Sequence, residues 1–206
     1  TTCDFSSLSG RVVLVTGGAG HIGSTLASAF LQQGCSVVTA DLMESPAFSD
    51  IDGCHTHLRV DLADLAVAAE LPSRVLHAFG RLDIVVCAAA FVGTSASEGW
   101  TVPFEEQDES MWDHVLAVNL TANFALLKAA AEPLAASGAG SVILVSSTYA
   151  IVAPQPSLYE GLPINNPAGY AVSKAGVTQL ARWLSTAMAP EVRVNALTPG
   201  GGVPQP

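Results

Sequence analysis

Short apolar runs alternate along the chain with longer stretches in which apolar residues recur every three or four positions. The short runs predict buried strands, and the longer stretches predict amphipathic helices. The predicted strands are residues 12–15, 36–40, 58–60, 84–87, 141–145 and 192–196. The predicted helices are residues 22–33, 64–79, 110–136 and 168–188. Such alternation is typical of βαβ units, so we expect one α/β domain with a doubly wound parallel sheet between two layers of helices.

The composition agrees with a sheet that is buried on both faces. Half of the 206 residues are hydrophobic and only 13% are charged. The formal net charge of −10 makes nucleic acid an unfavourable partner. No apolar run reaches the roughly 18 residues of a membrane span, and residues 1–10 lack the basic and apolar regions of a signal peptide. We therefore expect a cytoplasmic protein that binds no membrane.

The cysteines fall in unrelated settings and do not have the spacing of a metal site. They are Cys3, Cys35, Cys54 and Cys87. We expect all of them to be reduced, as in a cytoplasmic protein. Cys54 stands close to His55 and His57, but a solvated loop leading into a strand is favoured there over a metal ion.

A glycine-rich turn at residues 16–23 joins the first predicted strand to the first helix. Gly17, Gly20 and Gly23 are spaced three apart. Such glycines allow a tight turn, let the backbone approach a pyrophosphate and let the helix pack close to the strand. The helix presents free N–H groups and its positive dipole end to phosphates. In this context the pattern predicts a dinucleotide site, with a ligand-free glycine turn as the plainer alternative.

The end of the second strand bears on the choice of dinucleotide. Asp41 comes 18 residues after Gly23, where a carboxylate can accept hydrogen bonds from both ribose hydroxyls of an adenosine. The same carboxylate would repel a 2′-phosphate, and the residues that follow are Leu42 and Met43 rather than an arginine. NAD is therefore predicted over NADP.

Two further strand ends contribute to the predicted cofactor site. Asp61 ends the third strand and is a candidate acceptor for the adenine amino group. Ala88 and Ala89 follow the fourth strand, and their small side chains would let the backbone lie against a cofactor. Close packing alone would also explain both alanines.

Tyr170 and Lys174 stand four residues apart on a predicted helix and therefore share a face. A free tyrosine ionises near pH ~10, but a neighbouring ammonium stabilises the phenolate, so the pair makes a general acid/base. The spacing alone is common. It gains weight from Ser146 and Ser147 at the end of the fifth strand, because sites in such sheets lie at the carboxyl ends of strands.

Taken together, these motifs resemble the short-chain dehydrogenases/reductases over essentially the whole chain. The matching segments are residues 16–23, Asp41, Asp61, residues 118–120, Ser147, residues 170–174, residues 192–196, Pro199 and Gly200. The resemblance implies a Rossmann-type three-layer fold, an NAD-dependent alcohol or carbonyl oxidoreductase, and a homodimer or homotetramer. The cofactor site that it implies is completed by His21, Ile22, Leu42, Leu62, Pro199, Gly200, Tyr170 and Lys174.

The catalytic tetrad of that family corresponds to Asn119, Ser147, Tyr170 and Lys174. By the same resemblance, Tyr170 exchanges a proton with the substrate oxygen, and Ser147 holds that oxygen. Lys174 supports the phenolate and binds the nicotinamide ribose, while Asn119 anchors a water that relays protons to Lys174. Asn119 has a plainer alternative as a buried asparagine that satisfies a backbone, and Ser146 is expected to cap the backbone.

The chain departs from the family pattern in three places. Asn-Asn-Ala-Gly after the fourth strand is replaced by Cys87 and three alanines, and we expect Cys87 to be buried and inert. Ser147 and Tyr170 are separated by 22 residues, more than is usual, and the extra segment 154–166 is expected to be a loop over the substrate. The chain stops at Pro206, so the fold is expected to lack the family's final helix and strand.

The extra segment bears on the substrate. Its Tyr-Glu-Gly-Leu-Pro sequence at residues 159–163 is similar to that of the bacterial flagellin-modification oxidoreductases of this family. That similarity implies a sugar or nucleotide-sugar substrate, with Tyr159 and Glu160 as candidate contacts to its hydroxyls. Loop packing and solvation are the plainer roles of the two residues.

Two other functions remain open from the sequence. The glycine spacing, with His21 where a glycine is usual, is that of the family's extended branch and would suit a nucleotide-sugar epimerase or dehydratase. We expect the His21 side chain to point away from the phosphates. A non-catalytic NAD-binding or scaffold fragment is the third reading.

Overall fold

The computed structural model describes residues 5–44, 54–93, 97–162 and 165–200. They form strands β1 (Val12–Thr16), β2 (Ser36–Asp41), β3 (His55–Arg59), β4 (Ile84–Cys87), β5 (Gly140–Val145) and β6 (Val192–Leu197). They also form helices α1 (His21–Gln32), α2 (Leu65–Phe79), α3 (Glu109–Leu116), α4 (Ala122–Ala136) and α5 (Ala168–Ala187). Cys3 and, in the predicted loop, Pro163 and Ile164 lie outside the described residues.

The strands form one parallel sheet in the order β3-β2-β1-β4-β5-β6. This is the doubly wound arrangement that the sequence predicts. Thr16 at the end of β1 lies opposite Ala40 of β2 and Cys87 of β4, so these three strands end level. The strand order reverses between β1 and β4, and ligands bind in the crevice that such a reversal opens at the carboxyl ends of the strands.

Helices cover both faces of the central strands. Leu14 of β1 belongs to the core cluster that α2, α4 and α5 complete. Val13 and Val15 belong to a second cluster, formed on the other side with Ala27 and Leu31 of α1. A strand that is buried on both sides has no polar face, which explains why residues 12–15 are all apolar.

Aspartates begin two of the helices, and a glycine ends one of them, close to where the sequence predicts. The Asp64 carboxylate accepts hydrogen bonds from backbone N–H groups in the first turn of α2. Gly80 ends that helix in the left-handed conformation, with φ of 73°. Asp108 caps α3 in the same way as Asp64 caps α2. These caps satisfy groups that have no partner within a helix.

The third strand begins earlier than predicted. We expected a strand at residues 58–60 after a loop, but β3 covers His55–Arg59. The Thr39 hydroxyl of β2 lies 2.8 Å from His55 Nε2 and 2.9 Å from His57 Nδ1. Because β3 is the edge strand, only part of it needs to be apolar, and its histidines gave the pattern of a loop. Among the described residues, no three His, Cys, Asp or Glu side chains are grouped to hold a metal ion.

The predicted helix 110–136 is present, but it is interrupted. A π-helical turn, Ala117–Thr121, joins α3 to α4. The joined helix, Glu109–Ala136, is long and apolar enough to cross a membrane by length and composition alone, as the core helix of a soluble protein can also be. In this fold α4 packs against α2 and β5, and its Leu126 and Leu134 are buried in the core.

Candidate active site

The glycine turn lies at the crevice between β1 and β4. Gly17 has φ of +69°, and a Cβ at this position would lie 2.5 Å from the amide nitrogen of Ala89. A Cβ at Gly23 would lie 2.0 Å from the carbonyl oxygen of Gly17. Gly20 is the N-cap residue of α1. Gly17 therefore lets the segment after β4 approach the turn, and Gly23 lets the start of α1 pack closely, as the sequence predicts for one of the glycines.

The two predicted acidic residues are tied to nearby backbone. Asp41 Oδ2 accepts a hydrogen bond from the Ala19 N–H (2.9 Å), and its Oδ1 accepts one from the Met43 N–H (3.0 Å). Asp61 is exposed, and its Oδ1 accepts from the Ala63 N–H (2.9 Å). A carboxylate has about four acceptor sites, so each of these side chains can still accept a ligand hydroxyl or amine.

A cleft of about 330 Å³ lies in the crevice. The predicted residues that line it are Gly17, Gly20, Asp41, Leu42, Asp61, Leu62, Ala88 and Ala89. The lining residues that sequence reasoning missed are Ala19, Met43, Val60, Ala90, Phe91, His114 and Val118. Small residues, a carboxylate and the first turn of a helix fit the adenosine and phosphates of a dinucleotide. Another cleft, of about 470 Å³ beside Arg81 and Glu132, contains none of the predicted residues.

Some predicted cofactor residues lie outside this cleft. His21 and Ile22 are exposed in the first turn of α1, where backbone N–H groups have no acceptor within the helix and are available to a phosphate. Pro199 lies beside the turn that follows Ser147, because its carbonyl accepts a hydrogen bond from the Thr148 N–H (3.1 Å). Gly200 is exposed next to it.

Asn119 is fully buried in the π-helical turn and binds backbone on the cleft wall. Its Oδ1 accepts from the Phe91 N–H (2.6 Å), and its Nδ2 donates to the Phe91 carbonyl (3.2 Å) and to Ser173 Oγ (3.1 Å). Its own carbonyl accepts from Asn123 Nδ2 (2.7 Å). Asn119 therefore ties the segment after β4 to α5, and it contacts the neighbour of Lys174 rather than Lys174. Its role in a water relay stays a prediction.

The two adjacent serines have different surroundings. The Ser146 hydroxyl lies 2.8 Å from the Lys174 carbonyl, to which it donates, and 2.8 Å from Thr178 Oγ1, so it binds the inside of α5. Ser147 caps the 3₁₀ turn Thr148–Ala150, and its Oγ accepts from the Tyr149 N–H (3.2 Å). The Ser147 hydroxyl can therefore still donate its proton.

Tyr170 and Lys174 lie on one face of α5, as predicted. Lys174 is only 3% exposed, and its Nζ donates to the Val145 carbonyl (2.9 Å) and lies 5.8 Å from the centre of the Tyr170 ring. Burial lowers the pKa of Lys174 from its usual 10.5 to about 8. Burial also raises the pKa of the nearby Cys87 to about 12, so this thiol is protonated and inert, as expected.

The loop before α5 carries the predicted substrate contacts. Tyr159 ends the 3₁₀ turn Pro156–Tyr159, and its hydroxyl lies 2.8 Å from that of Tyr149. Asn166 Nδ2 donates to the Tyr159 hydroxyl (3.3 Å). Glu160 is exposed. Sequence reasoning missed Tyr149, and the available signal was its position two residues after Ser147.

These elements bring proton-transfer groups together at the carboxyl ends of the strands. Helix α5, which carries Tyr170 and Lys174, packs against the turn after Ser147. A serine hydroxyl, a tyrosine and a buried ammonium can hold a substrate oxygen and exchange a proton with it. Ser147, Tyr170 and Lys174 are not among the residues that line the cleft, which can accept a dinucleotide.

Comparison with known proteins agrees with this geometry. The family model described as short chain dehydrogenase matches residues 11–203. The D-threitol dehydrogenase of Mycolicibacterium smegmatis is 30% identical over 93% of this chain and 70% of its own. A 2,5-dichloro-2,5-cyclohexadiene-1,4-diol dehydrogenase of Sphingobium indicum is 33% identical over 94% and 74%. A Leptospira borgpetersenii short chain dehydrogenase with bound NAD⁺ superposes with a TM-score of 0.83, at 24% identity, over 100% of this chain and 77% of that one.

Proposed function

The chain belongs to the short-chain dehydrogenase family, and from this premise we propose that it is an NAD-dependent oxidoreductase that interconverts an alcohol and a carbonyl compound. The observation that carries the proposal is the buried Lys174 beside Tyr170, on a helix that packs against the turn after Ser147. The relatives are named dehydrogenases, so we favour net oxidation or reduction over epimerisation or a scaffold role.

In the proposed reaction, a bound nicotinamide supplies the acceptor or donor of a hydride. During oxidation the Tyr170 phenolate takes the proton of the alcohol oxygen, and during reduction the phenol returns it. The Ser147 hydroxyl donates a hydrogen bond to the same oxygen. Lys174, with a pKa of about 8, is mainly charged at pH 7, so it stabilises the phenolate and can donate to a ribose hydroxyl.

We also propose that the cofactor is NAD rather than NADP. Asp41 lines the cleft at the end of β2, held by the Ala19 and Met43 amides. A fixed carboxylate accepts from two ribose hydroxyls and repels a 2′-phosphate. The Asp41→Ala variant should therefore shift the Kd ratio towards NADP by tenfold or more in titrations with both cofactors. An unchanged ratio would contradict this role.

The proposed substrate is a small molecule that carries several hydroxyl groups, including sugars, because two relatives are named for threitol and for a cyclic diol. Tyr159 is the favoured contact, since it is linked to the turn after Ser147, and exposed Glu160 is the second candidate. A cytoplasmic location and a homodimer or homotetramer complete the proposal. Among the described residues, Cys35, Cys54 and Cys87 are free thiols.

The test of the proposed function is Tyr170→Phe. We expect turnover of alcohols, followed by NADH absorbance, to fall by roughly 10²–10⁴ because the proton carrier is lost. NAD should still raise the melting temperature of the variant. Trp183→Phe is the matched control, because Trp183 is an exposed aromatic residue on the same helix. Full activity of Tyr170→Phe would refute the assignment.

A further inference from the structure

We propose that Tyr149 and Tyr159 form a hydroxyl-recognition pair that selects substrates with a second hydroxyl next to the reacting carbon, an inference that rests on the proposed function. The three tyrosines of the chain are Tyr149, Tyr159 and Tyr170. The hydroxyls of the first two lie 2.8 Å apart. Tyr170 is the proposed acid/base, and Tyr149 is linked to the proposed site through its N–H, which donates to Ser147 Oγ.

A count of protons shows what the pair offers to a ligand. Two phenols carry two protons, and the hydrogen bond between them uses one. Asn166 supplies its own N–H to the Tyr159 oxygen and takes no proton from the pair. Whichever phenol donates to the other, one phenol proton has no acceptor in this chain of hydrogen bonds. The pair therefore presents a hydrogen-bond donor.

The chain of hydrogen bonds also ends in an acceptor. The buried side-chain oxygen of Asn166 has no hydrogen-bond partner among the described residues. An unpaired buried polar atom is costly, and in native structures most buried polar atoms have a partner. The phenol proton is therefore the group that the pair offers to a substrate hydroxyl, whose oxygen can accept it, whereas the Asn166 oxygen is buried.

The position of Tyr149 connects this pair to the reaction. Its backbone N–H binds Ser147 Oγ, so the phenol is fixed relative to the serine that holds the reacting oxygen. The pKa of Tyr149 is raised, chiefly by the hydrogen bond with Tyr159, then by burial and by the nearby phenols of Tyr159 and Tyr170. Tyr149 thus stays protonated as a donor. We expect the Tyr149–Tyr159 pair to donate a hydrogen bond to a hydroxyl on the carbon adjacent to the reacting one.

The experiment compares two substrates that share one ring, cyclohexane-1,2-diol and cyclohexanol. We expect the wild type to prefer the diol in kcat/KM. Tyr149→Phe should lose about tenfold in kcat/KM for the diol, as for one hydrogen bond, and change little for cyclohexanol. Tyr159→Phe should behave in the same way. Val152→Ala, at an exposed position in the same loop, is the control that should leave both values unchanged.

The outcomes separate this inference from the function on which it rests. An equal loss for both substrates in Tyr149→Phe, or no loss for either, would overturn the recognition pair while the oxidoreductase function stands. A melting temperature and NAD titration like those of the wild type exclude misfolding as the cause of any loss. A wild type that binds NAD and oxidises neither compound nor any other alcohol would contradict the proposed function, and the pair with it.

Discussion

Replacement of Lys174 by methionine should remove activity without loss of stability. Lys174 is only 3% exposed, and burial lowers its pKa from 10.5 to about 8. One pKa unit corresponds to roughly 1.4 kcal/mol, so the buried charge costs the folded protein about 3 kcal/mol at pH 7. Methionine has a similar length and carries no charge. It leaves the Val145 carbonyl without the Nζ donor, which costs about 1–3 kcal/mol. We therefore expect a variant that is as stable as the wild type or more stable by up to about 2 kcal/mol.

The pH dependence gives the sharper test. Between pH 8 and pH 10.5 the unfolded chain binds a proton at Lys174 that the folded protein does not. The wild type should therefore gain about 3 kcal/mol relative to Lys174→Met as the pH rises through this range. Urea unfolding of the cofactor-free proteins at pH 7, 8.5 and 10 measures this difference. Lys128→Met, at the chain's other lysine, is the exposed control and should show no such trend.

Two results would refute this reasoning. One is a free energy of unfolding of Lys174→Met that is lower than that of the wild type by more than about 2 kcal/mol at pH 7, because the lysine would then stabilise the fold rather than destabilise it. The other is a difference in the free energy of unfolding between wild type and variant that does not change with pH, because burial would then not destabilise the charged form of Lys174.

Two further predictions concern Gly17 and Asp83, which stabilise the strands and turns around the site. Gly17→Ala should lower the free energy of unfolding by about 3 kcal/mol and weaken NAD binding, because its Cβ would meet the Ala89 backbone. Gly138→Ala, also at positive φ but in open space, is its control, and an equal loss in both would exclude the clash. Asp83→Ala should cost about 1–3 kcal/mol in urea unfolding, because it removes the acceptor of the buried Val12 amide and of the partly exposed Arg11 and Arg81. Burial would raise the pKa of Asp83, but these hydrogen bonds outweigh burial and lower the pKa, so the stability that Asp83 contributes is lost as the pH falls below about 4. Glu44→Ala, at an exposed ion pair, is the control and should not change the stability measurably. A wild type whose midpoint of acid unfolding equals that of Asp83→Ala would contradict this linkage.

The sequence predicts well the elements whose local pattern follows directly from burial. Residues 12–15 and Ile84–Cys87 are covered on both faces, so an unbroken apolar run identified both strands. Asp64 and Gly80 marked the ends of α2, because caps depend on residues close in sequence. The fold class follows from the alternation of these elements.

The parts that were missed depend on contacts between distant segments. His55 and His57 belong to a strand because β3 pairs with β2, and the Thr39 hydroxyl of β2 lies within hydrogen-bond distance of both rings. The roles of Ser146 and Ser147 cannot be separated by composition, since what distinguishes them is that one binds the backbone of α5. The contact between Tyr149 and Tyr159 crosses ten residues of loop, and no periodic pattern encodes it.

The π-helical turn, Ala117–Thr121, has an evolutionary consequence. A π-helical turn holds about one residue more than an α-helical turn, because its hydrogen bonds join residues i and i+5 rather than i and i+4. Deletion of one residue here would therefore let the helix become regular while His114 on α3 and Asn123 on α4 keep their faces. The turn also contains Asn119, whose side chain holds the Phe91 backbone on the cleft wall. A single-residue deletion is therefore the evolutionary step that would release the cleft wall while sparing the core.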